Sequence, residues 1–110
     1  MNNKLMEDII AFRDDRNWKQ YHNPKDLAVS ISLEAAELLE NFQWSTFEEA
    51  LSAKKENICD ELADVLVYCV LMVDVLDVNI EEIIRKKLQK NNEKYPVEKA
   101  YGKKEKYNRL

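Results

Sequence analysis

The sequence is poor in the residues that let a chain turn often. One glycine and two prolines in 110 residues argue against a many-stranded sheet, which needs a turn every few residues. A single glycine also excludes a glycine-rich phosphate cradle, and no P-loop occurs. Histidine occurs once and cysteine twice, so no Ser-His or Cys-His nucleophile set is suggested. Cys59 and Cys69 fall in one expected helix without metal-type spacing and read as buried, reduced thiols. The longest uncharged apolar run, Val65 to Val73, has nine residues, whereas a membrane helix needs about 20. Met1-Asn2-Asn3-Lys4 leads straight into an amphipathic pattern, so no signal segment is expected and the chain reads as soluble and cytoplasmic, with no membrane partner. A net charge of −4 disfavours non-specific nucleic-acid binding.

The abundant residues are those of helices. Apolar residues make up 45% and charged residues 35%, the balance of a small all-α domain that oligomerisation would help to bury. A first helix is expected from an Asn2 or Asn3 cap to about Trp18, with Leu5, Ile9 and Phe12 on one side and Arg13, Asp14, Asp15 and Arg16 as a solvated face. The connector after it carries Trp18, Tyr21 and His22, which by composition alone lid the core. Asn23-Pro24 is a strong helix start, and Leu27, Ile31, Ala35, Leu38 and Phe42 then form an apolar stripe. Ser30 and Asn41 join its polar strip, and Ser45 or Thr46, with Glu48 and Glu49, looks like a new helix cap. A third helix, from about Ala53 to Leu76, is apolar on every side after Glu61, as in a central or interface helix. Asn79 caps a fourth helix that ends before Pro96, with Ile80, Ile84, Leu88 and Tyr95 inward. The domain is taken as residues 1–97, with 98–110 as a tail or an arm onto a neighbour.

Two carboxylate pairs interrupt this pattern. Glu34 and Glu37 sit on the second helix, and Glu61 and Asp64 on the third. Positions i and i+3 lie only about 60° apart around a helix, so each pair shares one face. Asp64 is the lone charge in an apolar stretch and is expected to be buried. An unpaired carboxylate there would cost several kcal/mol or stay protonated, and a cation removes the conflict. Four oxygen donors without histidine or cysteine select hard cations, above all Mg²⁺, with Mn²⁺ as a substitute. Mg²⁺ typically shares its site with substrate phosphates, so the cluster points to hydrolysis of a phosphate ester or anhydride by water. Tyr68, one turn beyond Asp64, reaches the same pocket. Lys87, Asn91 and Lys94 form a stripe about 10 Å long, enough to track a polyphosphate, although a basic stripe near a helix C-terminus is also what a solvated face looks like. Glu40, Glu48, Glu49, Asp60, Asp74 and Asp77 read as solvated or capping charges.

Glu34-x-x-Glu37 followed by Glu61-x-x-Asp64 resembles the metal motif of the MazG-like, all-α nucleoside triphosphate pyrophosphohydrolases. The flanking segments, Arg16 to Pro24, Phe42-Gln43-Trp44, Asp64 to Tyr68 and Lys87 to Pro96, are similar to the dCTP pyrophosphatase branch, with Asn17 where an Asp is common. The resemblance covers about residues 5 to 107. It implies a four-helix bundle completed in a homodimer or homotetramer, and hydrolysis of an NTP or dNTP to the monophosphate and pyrophosphate in nucleotide-pool house-cleaning. It further implies Mg²⁺ on Glu34, Glu37, Glu61 and Asp64, with catalysis by Glu34 and Glu37. Trp18, His22 and Trp44 would line the base or sugar pocket, and Lys87, Asn91 and Lys94 would bind phosphates with Tyr68 nearby. Two other readings compete: a phosphoribosyl-ATP pyrophosphohydrolase, which the match at Trp18, His22 and Trp44 disfavours, and a non-catalytic helical oligomer or adaptor.

Overall fold

Short polar side chains set the helix starts. Asn23 accepts a hydrogen bond from the Asp26 amide at 2.8 Å, Thr46 from Glu49 at 3.2 Å and Asn79 from Glu82 at 3.0 Å. Each side chain supplies an acceptor to an amide that the helix leaves without one. These caps open α2 (Pro24–Glu40), α3 (Phe47–Val75) and α4 (Ile80–Lys94); α1 is Asn3–Asp15 and a last short helix, α5, is Val97–Ala100. The computed structural model describes residues 3–110, so an Asn2 cap lies outside the described residues. Among the described residues there is no strand, and no helix is long and apolar enough to cross a membrane.

The helix ends differ from the expected ones in an ordered way. α1 stops at Asp15 rather than Trp18, because Asn17 adopts φ 55° and turns the chain into a single 3₁₀ turn, Lys19–Tyr21. Asparagine and aspartate tolerate this left-handed region better than most residues, so Asn17 can take the same backbone turn as an Asp at this position. The expected start at Thr46 and the third helix are one element, α3, which kinks at Lys54 (φ −131°, ψ 20°). The C-terminal stretch is not featureless: beyond α5 it forms a second 3₁₀ turn, Tyr107–Arg109.

The chain forms two units, residues 1–77 and 78–110. In the first, α2 packs along α3 and α1 also touches α3. Its buried apolar residues are Leu27, Ala50, Val70, Leu71 and Val73. α3 is therefore central over its last two turns, but farther back Leu62 and Leu66 are 46% exposed, and Cys59, expected to be buried, is exposed too. In the second unit, Tyr95 meets Tyr107 edge-on, with ring centroids 6.1 Å apart, which fastens the C-terminal turn to the end of α4. No residue of α4 is buried, including Ile84 and Leu88.

Arg13 corrects the sequence reading most sharply. Expected on a solvated face, it is 1% exposed. It lies four residues after Ile9 and so continues the stripe of Leu5 and Ile9. Its guanidinium donates from Nη1 to Asp74 at 2.6 Å and from Nε to Asp14 at 2.9 Å, which ties α1 to the end of α3. Both partners keep the charge in place: Asp14 is held below the usual carboxylate range by that hydrogen bond. Only the guanidinium is buried, since Asp14 and Asp74 keep 51% and 27% of their side-chain surface, so the loss is that of two charge-assisted hydrogen bonds and of packing, whereas exposed helical pairs contribute little. Arg13→Ala is expected to lower unfolding free energy by about 2 kcal/mol. Arg85→Ala, which breaks the exposed 2.8 Å pair with Glu81, should cost less than about 0.5 kcal/mol. Equal midpoints for the two variants in urea denaturation would show that the Arg13 pair does not hold α1 in place.

Candidate metal and nucleotide site

The local sequence of α2 and α3 brings the acidic pairs together. Ala35-Ala36 between Glu34 and Glu37, and Leu62-Ala63 between Glu61 and Asp64, are strong helix formers that keep each pair on one helix face. With α2 packed along α3, one carboxylate oxygen each from Glu34, Glu61 and Asp64 falls within 4.8 Å of the other two. Glu37 stands beside the group, one of the carboxylates whose proximity raises both Glu34 and Glu61, and with Glu61 it lines the adjoining cavity. Glu34 and Glu61 are half-buried, and Glu37 is exposed. Asp64, expected to have no access to water, is exposed in the single chain, because its flanking residues Leu62 and Leu66 lie partly uncovered.

Crowding changes the chemistry of these groups. Burial, then the Glu37 carboxyl and the charges of the neighbouring carboxylates, raise Glu34 and Glu61 above the ordinary range. Glu34 Oε2 and Glu61 Oε2 are buried without a hydrogen-bond partner. An orphaned anionic oxygen is costly, and a divalent cation answers both the missing partner and the repulsion. Opposite oxygens around Mg²⁺ stand about 4.2 Å apart, so the 4.8 Å cluster needs little closure to hold a hard cation. The residues present fit such an ion, and all donors are oxygens.

Beside the cluster a cavity of about 470 Å³ opens, lined by Glu37, Glu40, Asn41, Lys54, Asn57 and Glu61. Asn41, expected on a polar strip, is 4% exposed. Its Nδ2 donates to the carbonyls of Glu37 and Leu38 at 3.3 Å, and its Oδ1 accepts from Asn57 Nδ2 at 2.6 Å. Neither Asn57 nor Lys54 stands out in the sequence. The spacing alone could have drawn attention to Asn41 and Asn57, since each lies four residues from a cluster carboxylate.

The aromatic candidates stand on the connectors. Trp18 is 44% exposed, its edge against Phe12 with centroids 5.8 Å apart, while Arg16 lies over the Phe12 ring at 3.7 Å. Trp18 is therefore a side chain with one supported edge and open surface, not a buried lid. His22 is half-buried, and its Nδ1 is buried without a partner. Burial, and next the charge of Arg13, push His22 below its ordinary value, so the ring is neutral at pH 7. Trp44 is 93% exposed and sits at φ 64°. Tyr68 lies on α3 one turn after Asp64 and is half-buried. In the second unit, Lys87 is exposed and Asn91 half-buried on α4, and the Lys94 ammonium stands 5.1 Å from the centre of the Tyr107 ring.

Comparison with known proteins places the chain in a family. Residues 29–110 match the model of the MazG-like family. Proteins named dCTP pyrophosphatase 1 from Mus musculus and Bos taurus are 31% and 33% identical over 114 aligned residues, spanning 96% of this chain and 67% and 68% of theirs. A crystal structure of a pyrophosphatase from Archaeoglobus fulgidus superposes with a TM-score of 0.80 at 45% identity, covering 84% of this chain and 90% of that one. A family match over most of the chain, with relatives aligned along almost all of it, leaves one conclusion: the chain belongs to the MazG-like family.

Proposed function

We propose that this MazG-like pyrophosphohydrolase converts a nucleoside or deoxynucleoside triphosphate to the monophosphate and pyrophosphate, using Mg²⁺ held by Glu34, Glu37, Glu61 and Asp64. The observation that carries the reading is the pair of buried, unpartnered oxygens, Glu34 Oε2 and Glu61 Oε2, in a cluster made only of carboxylates. Mn²⁺ is the natural substitute. A cation held there would neutralise phosphate charge and make a bound water more acidic. One carboxylate of the Glu34–Glu37 pair would take up a proton from the water as its oxygen bonds to one of the two phosphorus atoms flanking the α–β bridge; the bond from that phosphorus to the bridging oxygen breaks, which releases the monophosphate and pyrophosphate. Trp18, His22 and Trp44 line the base or sugar pocket, where the indoles stack, and Tyr68 lies near the phosphates. Lys87, Asn91 and Lys94 bind phosphates.

The relatives named dCTP pyrophosphatase 1 support a dCTP-like substrate, and the role read from this activity is nucleotide-pool house-cleaning in the cytoplasm. The hydrolase domain is read as residues 1–97, with 98–110 as a tail. A homodimer or homotetramer completes a four-helix bundle, a reading supported by the exposure of Leu33, Leu39, Leu62 and Leu66 on α2 and α3.

Three measurements test the reading. Pyrophosphate release from a panel of NTPs and dNTPs with Mg²⁺ should favour a cytosine deoxynucleotide, and Asp64→Ala should lower kcat/KM by about 100-fold or more. No release from any nucleotide would sink the enzymatic assignment, and full activity of the variant would remove Asp64. Lys87→Ala should raise KM with little change in kcat; unchanged constants would take Lys87 out of the site.

The third measurement uses proton linkage. In the metal-free protein a carboxylate raised by folding favours the protonated form, so its cost is absent below the unfolded value near 4.5 and grows as pH rises above it. Metal-free Glu61→Gln should therefore melt higher than wild type at pH 8, with the gap closing towards pH 4.5. Mn²⁺ should raise the wild-type Tm at pH 8 and raise that of the variant much less. An equal metal response in both proteins would exclude Glu61 as a ligand.

A further inference from the structure

The contacts between α2 and α3 come in two successive turns. In one, Glu37 of α2 and Glu61 of α3 line the same cavity. In the next, Asn41 accepts a 2.6 Å hydrogen bond from Asn57. Asn41 follows Glu37 by four residues, and Asn57 precedes Glu61 by four, so each amide stands one turn from its carboxylate on the same helix face. The two helices run antiparallel here, and the amide bridge and the acidic pair are neighbouring rungs along one seam.

The two rungs differ physically. Two carboxylates face each other across the first, and as anions they repel. The amide rung is uncharged and keeps its bond. It is also well anchored, since Asn41 is 4% exposed and its Nδ2 grips the carbonyls of Glu37 and Leu38 at the end of α2. One side chain thus fixes the backbone of Glu37 and reaches across to α3. On the other side, Asn57 lies three residues beyond the break in helical geometry at Lys54. The kink leaves α3 free to change direction just before the amide, so the amide fixes where the stretch carrying Glu61 lies against α2.

We infer that Asn41 and Asn57 form a positioning bridge that sets the register and spacing of Glu37 and Glu61, and through them the affinity of the acidic cluster for its divalent cation. The inference rests on the metal reading proposed above. Neither asparagine touches the cluster oxygens; they act through the carboxylates on the adjacent turn. Register matters at this scale because hard cations demand near-ideal ligand placement, and Mg²⁺ demands it more than Ca²⁺. Asn41 and Asn57 also line the 470 Å³ cavity at its border with Glu37 and Glu61, so a loosened bridge would open that space toward the cluster.

The test is Mn²⁺ titration of the nucleotide-free protein by calorimetry, with the Mn²⁺ electron paramagnetic resonance signal as a second readout. Asn57→Leu removes the donor at similar volume, and Asn57→Asp removes it without changing shape. Val73→Ala, which trims a buried residue at the far end of α3, serves as a variant that only loses stability. Both Asn57 variants should bind Mn²⁺ at least about tenfold more weakly, the size of effect seen when a group orienting a metal ligand is lost. Val73→Ala should stay within about twofold of wild type, since its cost falls on packing alone. In pyrophosphate release, the Mn²⁺ needed for half-maximal rate should rise by the same factor in the Asn57 variants. KM for nucleotide at saturating metal should move little. Wild-type affinity in a folded Asn57→Asp or Asn57→Leu protein would overturn the bridge while leaving the metal reading intact. Absence of Mn²⁺ binding by wild type would instead overturn the metal reading itself. If Asn57→Leu fails to fold, Asn57→Asp alone decides the question.

Discussion

Three carboxylates held within 4.8 Å of one another, with Glu37 beside them, set the terms for the rest of the molecule. As anions they push α2 and α3 apart, yet those two helices must stay side by side for the cluster to exist. The strong contacts of the first unit answer that demand. The amides of Asn41 and Asn57 join α2 to α3 one turn from Glu37 and Glu61. Val70, Leu71 and Val73 bury the far end of α3, and Arg13 ties α1 to Asp74 there. Packing is thus concentrated at one end of the helix pair, leaving the acidic middle open to solvent and to a ligand.

This division also explains the two kinds of charge in the unit. Arg13 is a buried cation with two carboxylate partners and a settled structural task. Glu34 and Glu61 are half-buried anions whose inner oxygens have no hydrogen-bond partner. The fold neutralises one buried charge thoroughly and leaves the other uncompensated, and uncompensated groups of this kind cluster at functional sites. His22 stands between the two cases: its ring is kept neutral by burial and by the Arg13 charge, while its Nδ1 remains unpaired.

The features legible in the sequence were local. The caps at Asn23, Thr46 and Asn79, the acidic pairs on α2 and α3, and the family motif all depend on residues within a turn or two of one another, and periodicity reads those well. The partnership of Arg13 with Asp74 joins residues 61 positions apart and the Asn41–Asn57 bridge joins residues 16 apart, so both were hidden among ordinary polar positions. The all-round apolar sequence around Asp64 was read as burial, but such a pattern reports that a helix is to be covered without saying by what. In the single chain Leu62 and Leu66 are still half in water, and Asp64 with them.

The helix ends carry one more consequence. α1, α2, α3 and α5 each give way within four residues to a left-handed residue, in turn Asn17, Trp44, Asp77 and Gly102, and α4 is closed by Pro96 instead. Three of those four stops suit their conformation, because asparagine, aspartate and glycine enter the left-handed region readily. Trp44 does not, and a bulky side chain there costs of order 1–2 kcal/mol. Its indole is 93% exposed and so recovers almost nothing from packing within the chain. Selection for stability alone would replace this residue with glycine. That a tryptophan stands there makes the corner after α2 the one helix stop whose backbone strain nothing in the single chain repays.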